Sequence, residues 1–288
     1  MVHLNPMTAD SFSSTPFTQN KNKNKMFLIG GGVLLALLIM IIGIFSYTRI
    51  NKGAVTQTPP AQKKKVIAPT NIIPVSERPY VEIDPVDSRN ISIQVNVMKK
   101  AADTVDYEIE YQTDSSLEGA QGNITLGASQ SKAQILLGSC SAGGACRYHT
   151  GVVGGTLLLK FNGTSNYSLK QEWNYIQNPN KGTQFSSKDA KFQLESKDLA
   201  NQTIMIIYNS PGYPKDSPGT AISDPYSLTA ISPLKGAANL TMRTTEEAVT
   251  AQIIGWNGTI WKAFPSKVDG KTVSASVELL PLYLVVKK

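Results

Sequence analysis

An all-β body carried on a single N-terminal transmembrane helix is the architecture the sequence predicts, and three observations predict it. One apolar run of 22 residues, Met26 to Tyr47, contains no charged side chain. From Tyr80 onward, apolar residues alternate with polar ones at a period of two. Near the C-terminus, Asn-Gly and Asp-Gly steps fall between segments of strand character.

The run is taken first. At 1.5 Å per helical residue it extends about 33 Å, enough to cross a hydrocarbon core of about 30 Å. A cleaved signal peptide has an apolar region of about 7–15 residues and ends in a small-x-small site. This run is longer and starts late, and Phe45-Ser46-Tyr47-Thr48-Arg49 offers no such site. It reads as an uncleaved signal anchor. A lipobox Cys, a twin-Arg pair and a prepilin-like Glu are all missing around it. Residues 1–25, rich in Ser, Thr, Asn and Pro and ending in KNKNK, are expected to be a disordered tail. Residues 48–79 carry Pro59, Pro60, Pro69, Pro74 and Pro79 among Thr, Gln and Lys, the composition of a semi-rigid stalk.

The formal charge of +7 equals that of the membrane-flanking parts, because the two halves of the body cancel. Residues 1–25 hold three Lys and one Asp, and residues 48–78 hold six basic residues against one acidic. Residues 79–178 are acidic, seven basic against ten acidic, and 179–288 are basic, twelve against nine. The excess can therefore meet anionic lipid headgroups, and no basic face with interleaved aromatics points to nucleic acid. Lys21, Lys23 and Lys25 precede the helix, while Arg49 and Lys52 follow it. With the short tail on one side and both cysteines on the other, the expected orientation is N-terminus cytoplasmic, body outside.

The body begins with Ile91, Ile93, Val95 and Val97 alternating with Ser92, Gln94 and Asn96. Tyr107, Ile109 and Tyr111 alternate with Asp106, Glu108 and Glu110, and Leu157, Leu159 and Phe161 repeat the pattern. Such segments are strands with one face buried and one wet. A second set starts near Phe185. The continuous run Thr203 to Tyr208 predicts a strand covered on both faces. Asn257-Gly258 separates Ala251–Trp256 from Thr259–Phe264, and Asp269-Gly270 precedes Val273, Ala275 and Val277. Both steps supply the positive φ that tight hairpins need. A last strand runs from Leu282 to Val286. Two tandem β-sandwiches are expected, 80–178 and 183–288, divided at the turn-rich Asn178-Pro179-Asn180-Lys181-Gly182; one elaborated sandwich is the alternative.

On its strand spacing and the Tyr107/Tyr111 strand, 80–176 resembles a fibronectin type III or immunoglobulin-like sandwich. Residues 224–286 are similar to β-sandwich modules of bacterial surface proteins. The resemblance is carried by Asp224-Pro225-Tyr226, Leu240-Thr241-Met242, Asn257-Gly258-Thr259-Ile260-Trp261 and Tyr283-Leu284-Val285-Val286. The whole arrangement resembles uncharacterised single-pass anchored surface proteins of small-genome bacteria, which implies a surface location and no particular activity.

Cys140 and Cys146 bracket Ser-Ala-Gly-Gly-Ala, and outside the cytoplasm such a pair is expected to form a disulfide. A metal site including His149 would lack a fourth ligand, since the other histidine is His3. Ser129-Gln130-Ser131-Lys132 has the Ser-x-x-Lys spacing without the companion Ser-Asp-Asn and Lys-Thr-Gly motifs, and reads as a turn. Asp84 and Asp87 are two carboxylates without a calcium loop. Tyr148, Tyr167, Trp173, Tyr175, Trp256 and Trp261 read as core and edge packing before they read as a sugar platform. Seven Asn-x-Ser/Thr sequons occur, at Asn90, Asn123, Asn162, Asn166, Asn201, Asn239 and Asn257. Gly32 and Ala36 form a small-xxx-small pair in the apolar run.

No catalytic residues, cofactor or metal are expected. The functional expectation is a non-enzymatic, membrane-anchored surface protein whose body binds a protein or glycan partner of the envelope or another cell. The alternative is an accessory subunit of a secretion or pilus-like assembly.

Overall fold

Burial in the body follows the alternation of the sequence. The computed structural model describes residues 69–127, 131–209 and 212–287, together with Met40. Its first strands are β1 (Tyr80–Pro85), β2 (Asn90–Val97), β3 (Thr104–Gln112), β4 (Leu117–Thr125) and β5 (Lys132–Leu136). A small hairpin, β6 (Gly138–Cys140) and β7 (Cys146–Tyr148), precedes the long β8 (Gly154–Asn162) and β9 (Tyr167–Gln177). Next come β10 (Gln184–Ser186), β11 (Phe192–Glu195), β12 (Ile204–Asn209), β13 (Thr220–Ala221), β14 (Tyr226–Ala230) and β15 (Ala237–Arg243). The chain closes with β16 (Ala251–Trp256), β17 (Trp261–Phe264), β18 (Lys267–Asp269), β19 (Thr272–Glu278) and β20 (Leu282–Lys287). In β3, Val105, Tyr107, Ile109 and Tyr111 are buried while Asp106 and Glu110 stay in solvent, as period-two reasoning requires.

Ten strands form one antiparallel sheet in the order β17-β16-β20-β14-β12-β9-β8-β3-β4, with β13 added on β20. A three-stranded sheet, β1-β2-β5, and a five-stranded sheet, β10-β11-β15-β19-β18, complete the layers. β12 lies between them. Ile204, Ile206 and Tyr208 enter a core with Ile83, Ile91, Ile93 and Trp173, whereas Met205 and Ile207 enter another with Phe192, Leu194, Leu240 and Val273. Successive side chains of a strand point to opposite faces, so the small sheets cover opposite faces of the large one at β12. The double coverage expected for this run is present.

A third cluster joins Ile254 and Trp256 of β16 and Leu282 and Leu284 of β20 to Tyr80 and Tyr213. The register Tyr208↔Ser227, Ser227↔Leu282 and Leu282↔Trp256 places it on the same face as the β1-β2-β5 layer. Thr229 ties that layer down by donating its hydroxyl to the Ile83 carbonyl at 2.6 Å.

The body is all-β, and residues 67–288 form one compact unit. The turn at 178–182 exists, held by Asn178 through Gly182 N–H at 2.7 Å and the Gly182 carbonyl at 3.1 Å. It separates two cores without separating two sheets, because β9 before it pairs directly with β12 after it. Both C-terminal hairpins form. Gly258 (φ +97°) sits in the loop that joins β16 to β17, and Gly270 (φ +57°) in the turn between β18 and β19. The strand after Asn257-Gly258 begins at Trp261 instead of Thr259, because Asn257 Oδ1 accepts from both Thr259 and Ile260 N–H groups and keeps them in the loop.

The expected tail 1–25, the expected membrane helix 26–47 and the expected stalk up to residue 68 lie outside the described residues, Met40 excepted. Among the described residues no helix is long and apolar enough to cross a membrane. The last part of the expected stalk is attached to the body. Asn71 N–H donates to Ser168, its side chain brackets Lys170 from both sides, and Ile73 and Val75 pack on the cores.

Because β12 serves both cores, Ile206→Ala and Met205→Ala, on opposite faces, are expected to lower one shared unfolding transition by about 2–5 kcal/mol each. Denaturant unfolding followed by tryptophan fluorescence checks this; two transitions, of which each substitution moves one, would contradict it. A second expectation concerns Asp84 on β1. Burial, with the negative charge of Glu82 adding to it, pushes its carboxyl up to about 6. The folded value lies above the ordinary 3.8, so its stabilising contribution is full below about pH 4 and is lost as pH rises through about 6. Asp84→Asn should therefore raise stability at pH 7 by up to about 3 kcal/mol and flatten the profile in that window. Urea midpoints at several pH values measure this, and an unchanged profile would contradict it.

Candidate functional site

A polar recess lies where the β3–β4 turn meets the β6–β7 hairpin. Its volume is about 330 Å³, and Thr113, Ser116, Glu118, Ser139, Arg147 and His149 contribute to its lining. Thr113 builds the turn. Its Oγ1 accepts from the N–H groups of Ser115 and Ser116 at 3.3 and 3.0 Å and donates to the Ser116 carbonyl at 2.9 Å. This local side-chain bonding is the ordinary chemistry of Ser/Thr turns. It fixes Ser116, whose hydroxyl donates to Glu118 Oε1 at 2.6 Å.

The opposite wall is the hairpin. Cys140 and Cys146 are directly paired in it, 4.0 Å apart at Cα, and bonded as a disulfide. The expected disulfide is therefore present, and both residues are exposed. Gly138 makes the close approach of the two strands feasible, since a Cβ there would lie 2.6 Å from the Arg147 carbonyl oxygen. Gly144 (φ +82°) closes the tip.

His149 joins the two walls. Its N–H donates to the Leu137 carbonyl, its Nδ1 is 3.1 Å from the Tyr111 hydroxyl, and its Nε2 is 4.0 Å from Glu118 Oε2. Burial, and then the charge of Glu118, hold the Tyr111 hydroxyl above its ordinary value, while the Gly138 N–H works the other way. The phenol and Nδ1 share a hydrogen bond, and Nε2 lies on the side of Glu118. Both ring nitrogens thus have partners, and Ser116 addresses Glu118 instead of the imidazole. The recess presents hydroxyls, one carboxylate and one guanidinium, a set suited to hydrogen-bonding a polar ligand. Beside it Arg89 stacks on the exposed Tyr148 ring, 4.0 Å from its centroid.

Other sequence candidates fall elsewhere. The cysteines are consumed by the disulfide and are not metal ligands, and among the described residues no three His, Cys, Asp or Glu gather as a metal site. Asp87 closes a turn, accepting from Arg89 N–H and the Asn90 amide, which hold its carboxyl below the usual range. Ser129 and Gln130 lie outside the described residues, and Lys132 begins β5. The aromatics do not make one platform. Trp173 and Tyr175 are in the first core, Trp256 is buried in the third cluster with Trp261 beside it, and Tyr167 stacks on Phe161 at 4.7 Å. Two sequon asparagines, Asn123 and Asn162, both donate to the Asp106 carboxylate.

The sequence singled out His149, Tyr148 and the cysteine pair but missed Glu118, Arg147 and the serines. The available signal was Glu118 itself, a charge on the inward parity of β4, opposite Tyr111. No family model matches the chain, and no curated protein is significantly similar to it.

The disulfide closes a short loop, so its removal is expected to cost about 2 kcal/mol and leave a folded body. Cys140→Ser with Cys146→Ser should lower the melting temperature modestly while preserving the β-type circular dichroism. Loss of the fold would show that the bond is required for the core.

Proposed function

We propose that the chain is a non-enzymatic, membrane-anchored protein whose body stands outside the cytoplasm and binds a partner on the envelope or on another cell. The observation that carries the reading is the exposed Cys140–Cys146 disulfide in the same chain as an uncharged 22-residue apolar run. Solvent-accessible disulfides persist in oxidising compartments and are reduced in the cytoplasm. With residues 26–47 as a signal anchor, the tail is cytoplasmic and the body extracytoplasmic. The two cores are read as two sandwiches, immunoglobulin-like in the first half, fused through a common sheet.

The ligand face is the recess between the β3–β4 turn and the disulfide hairpin. Its hydroxyls, carboxylate and guanidinium suit a polyhydroxylated or zwitterionic group, such as a surface glycan. The charge of the chain lies in the membrane-flanking segments, which favours lipid headgroups over nucleic acid as the basic segments' neighbours.

Two measurements on one preparation test this. Protease added to intact cells should remove the body and spare an N-terminal tag; cleavage of that tag from outside would overturn the orientation. Full-length chain should bind a glycan array, with Glu118→Ala and Arg147→Ala each weakening binding at least about ten-fold, the loss of one charge-assisted hydrogen bond. Binding that is unaffected by both substitutions would remove the recess from the proposal.

A further inference from the structure

An unpaired sheet edge is a template for another strand, and proteins ordinarily shorten such edges, charge them or break them with proline or a bulge. Most edges of this body are treated in that way. β10 and β18 have three residues each, the latter with Lys267 and Asp269, and β17 has four with Lys262. β5 opens with Lys132, and β1 carries Glu82, Asp84 and Pro85 and an irregular register at Tyr80/Val81.

β4 carries the fewest of these devices for its length, a single charge. It is nine residues long, pairs with β3 at all nine positions without a register shift, and ends the ten-stranded sheet. Its one charged residue is Glu118, and it contains neither proline nor a basic side chain. Among the described residues, no backbone hydrogen bond reaches it from the side away from β3.

We propose that β4 is the pairing edge for a second copy of this chain, β4 against β4, antiparallel about a two-fold axis through Gln121. The strand is complementary to itself in that arrangement. Gln121 is the midpoint of Leu117–Thr125, so all nine residues find an opposite number. Glu118 then faces Ile124 of the other copy, Gly119 faces Asn123, and the exposed Leu117 is covered beside Thr125. No like charges are opposed, which is the condition that antiparallel neighbours impose. The acidic residues one strand inward do not set the copies against each other. Asp106 accepts from Asn123 and Asn162, Glu108 is paired with Lys160, and Glu110 accepts from Thr156. The contact is isologous and closes as a dimer, so it does not propagate into a fibre. It rests on the backbone edge of β4, although Glu118 of that strand also lines the recess.

The test places a cysteine at the axis in the full-length chain in mild detergent. Directly opposed side chains across an antiparallel pair lie about 5 Å apart, so Gln121→Cys should give a covalent homodimer with a short bis-maleimide. Lys170→Cys, exposed on the same face but on β9, should give at least about ten-fold less under the same short reach. Gln121→Lys and Gln121→Glu should each lose the dimer, and mixing the two should restore it as a heterodimer. Equal cross-linking at both positions, no product at 121, or a product joining 121 to a different protein would overturn the proposal. So would a dimer that persists unchanged in both charged variants, since contact through another part of the chain would then explain it.

Discussion

The double burial of β12 is the constraint on which the rest of the body depends. A strand with solvent on one face can slip by two residues at modest cost, but a strand buried on both faces has no acceptable alternative register. Ile204, Ile206 and Tyr208 belong to one core, and Met205 and Ile207 to the other. Once β12 is placed, β9 and β14 are fixed on either side of it by five paired positions each. β8 and β3 extend the sheet one way, and β20 and β16 the other. The small sheets then have only one place each to bury their apolar faces. This arrangement uses a chain of moderate hydrophobic content economically, because one strand supplies side chains to two cores.

Covering a sheet on both faces brings polar groups inside, and at Tyr283 and Tyr226 they are paired locally. Tyr283 is fully buried, yet its hydroxyl donates to the Glu278 carbonyl at 2.5 Å and accepts from Leu280 N–H at 2.7 Å. Tyr226 donates to Asp189 at 2.7 Å, and that carboxylate in turn accepts from Ser187 and is held below its ordinary range by these bonds, even against burial. Each bond links a strand of the large sheet to the end of β19 or to a turn beside it. Buried hydroxyls with partners of this kind specify where the layers sit, since a shift of either layer would leave a polar atom unpaired in a dry interior.

Much of this was legible in the chain. Ile91 to Val97 and Val105 to Tyr111 declared one buried face by alternation, Ile204 to Tyr208 declared two by the lack of it, and the Asn-Gly and Asp-Gly steps marked the hairpins. What could not be read was which strand lies beside which. β9 and β12 are adjacent in the sheet but separated in sequence by two strands of another sheet, and nothing local encodes that choice. The site was less legible still. Cys140, Cys146 and His149 stand out because their side chains are rare in this sequence. Glu118 is ordinary in type and meaningful only through its parity, and β4 offers little apolar alternation to set that parity. Ser115 and Ser116 resemble any turn. Their roles come from the approach of the β6–β7 hairpin, a tertiary event.

The position of the recess follows from this division of labour. β12 is buried on both faces and paired on both edges, so it has no side chain to offer a ligand. The groups that line the recess come from segments that the layers leave partly uncovered: the β3–β4 turn, the inward end of β4 and the disulfide hairpin. Two of these are turns, which alone would hold their side chains loosely. Here they are anchored to the rigid part through Tyr111, which is buried against Trp173 with ring centroids 6.3 Å apart and reaches out to His149 with its hydroxyl. The hairpin gains a second restraint from its disulfide and from Gly138, which lets its strands close. A recess formed by turns but referenced to the core combines accessible polar groups with fixed geometry, and that is the requirement for recognition without prior rearrangement.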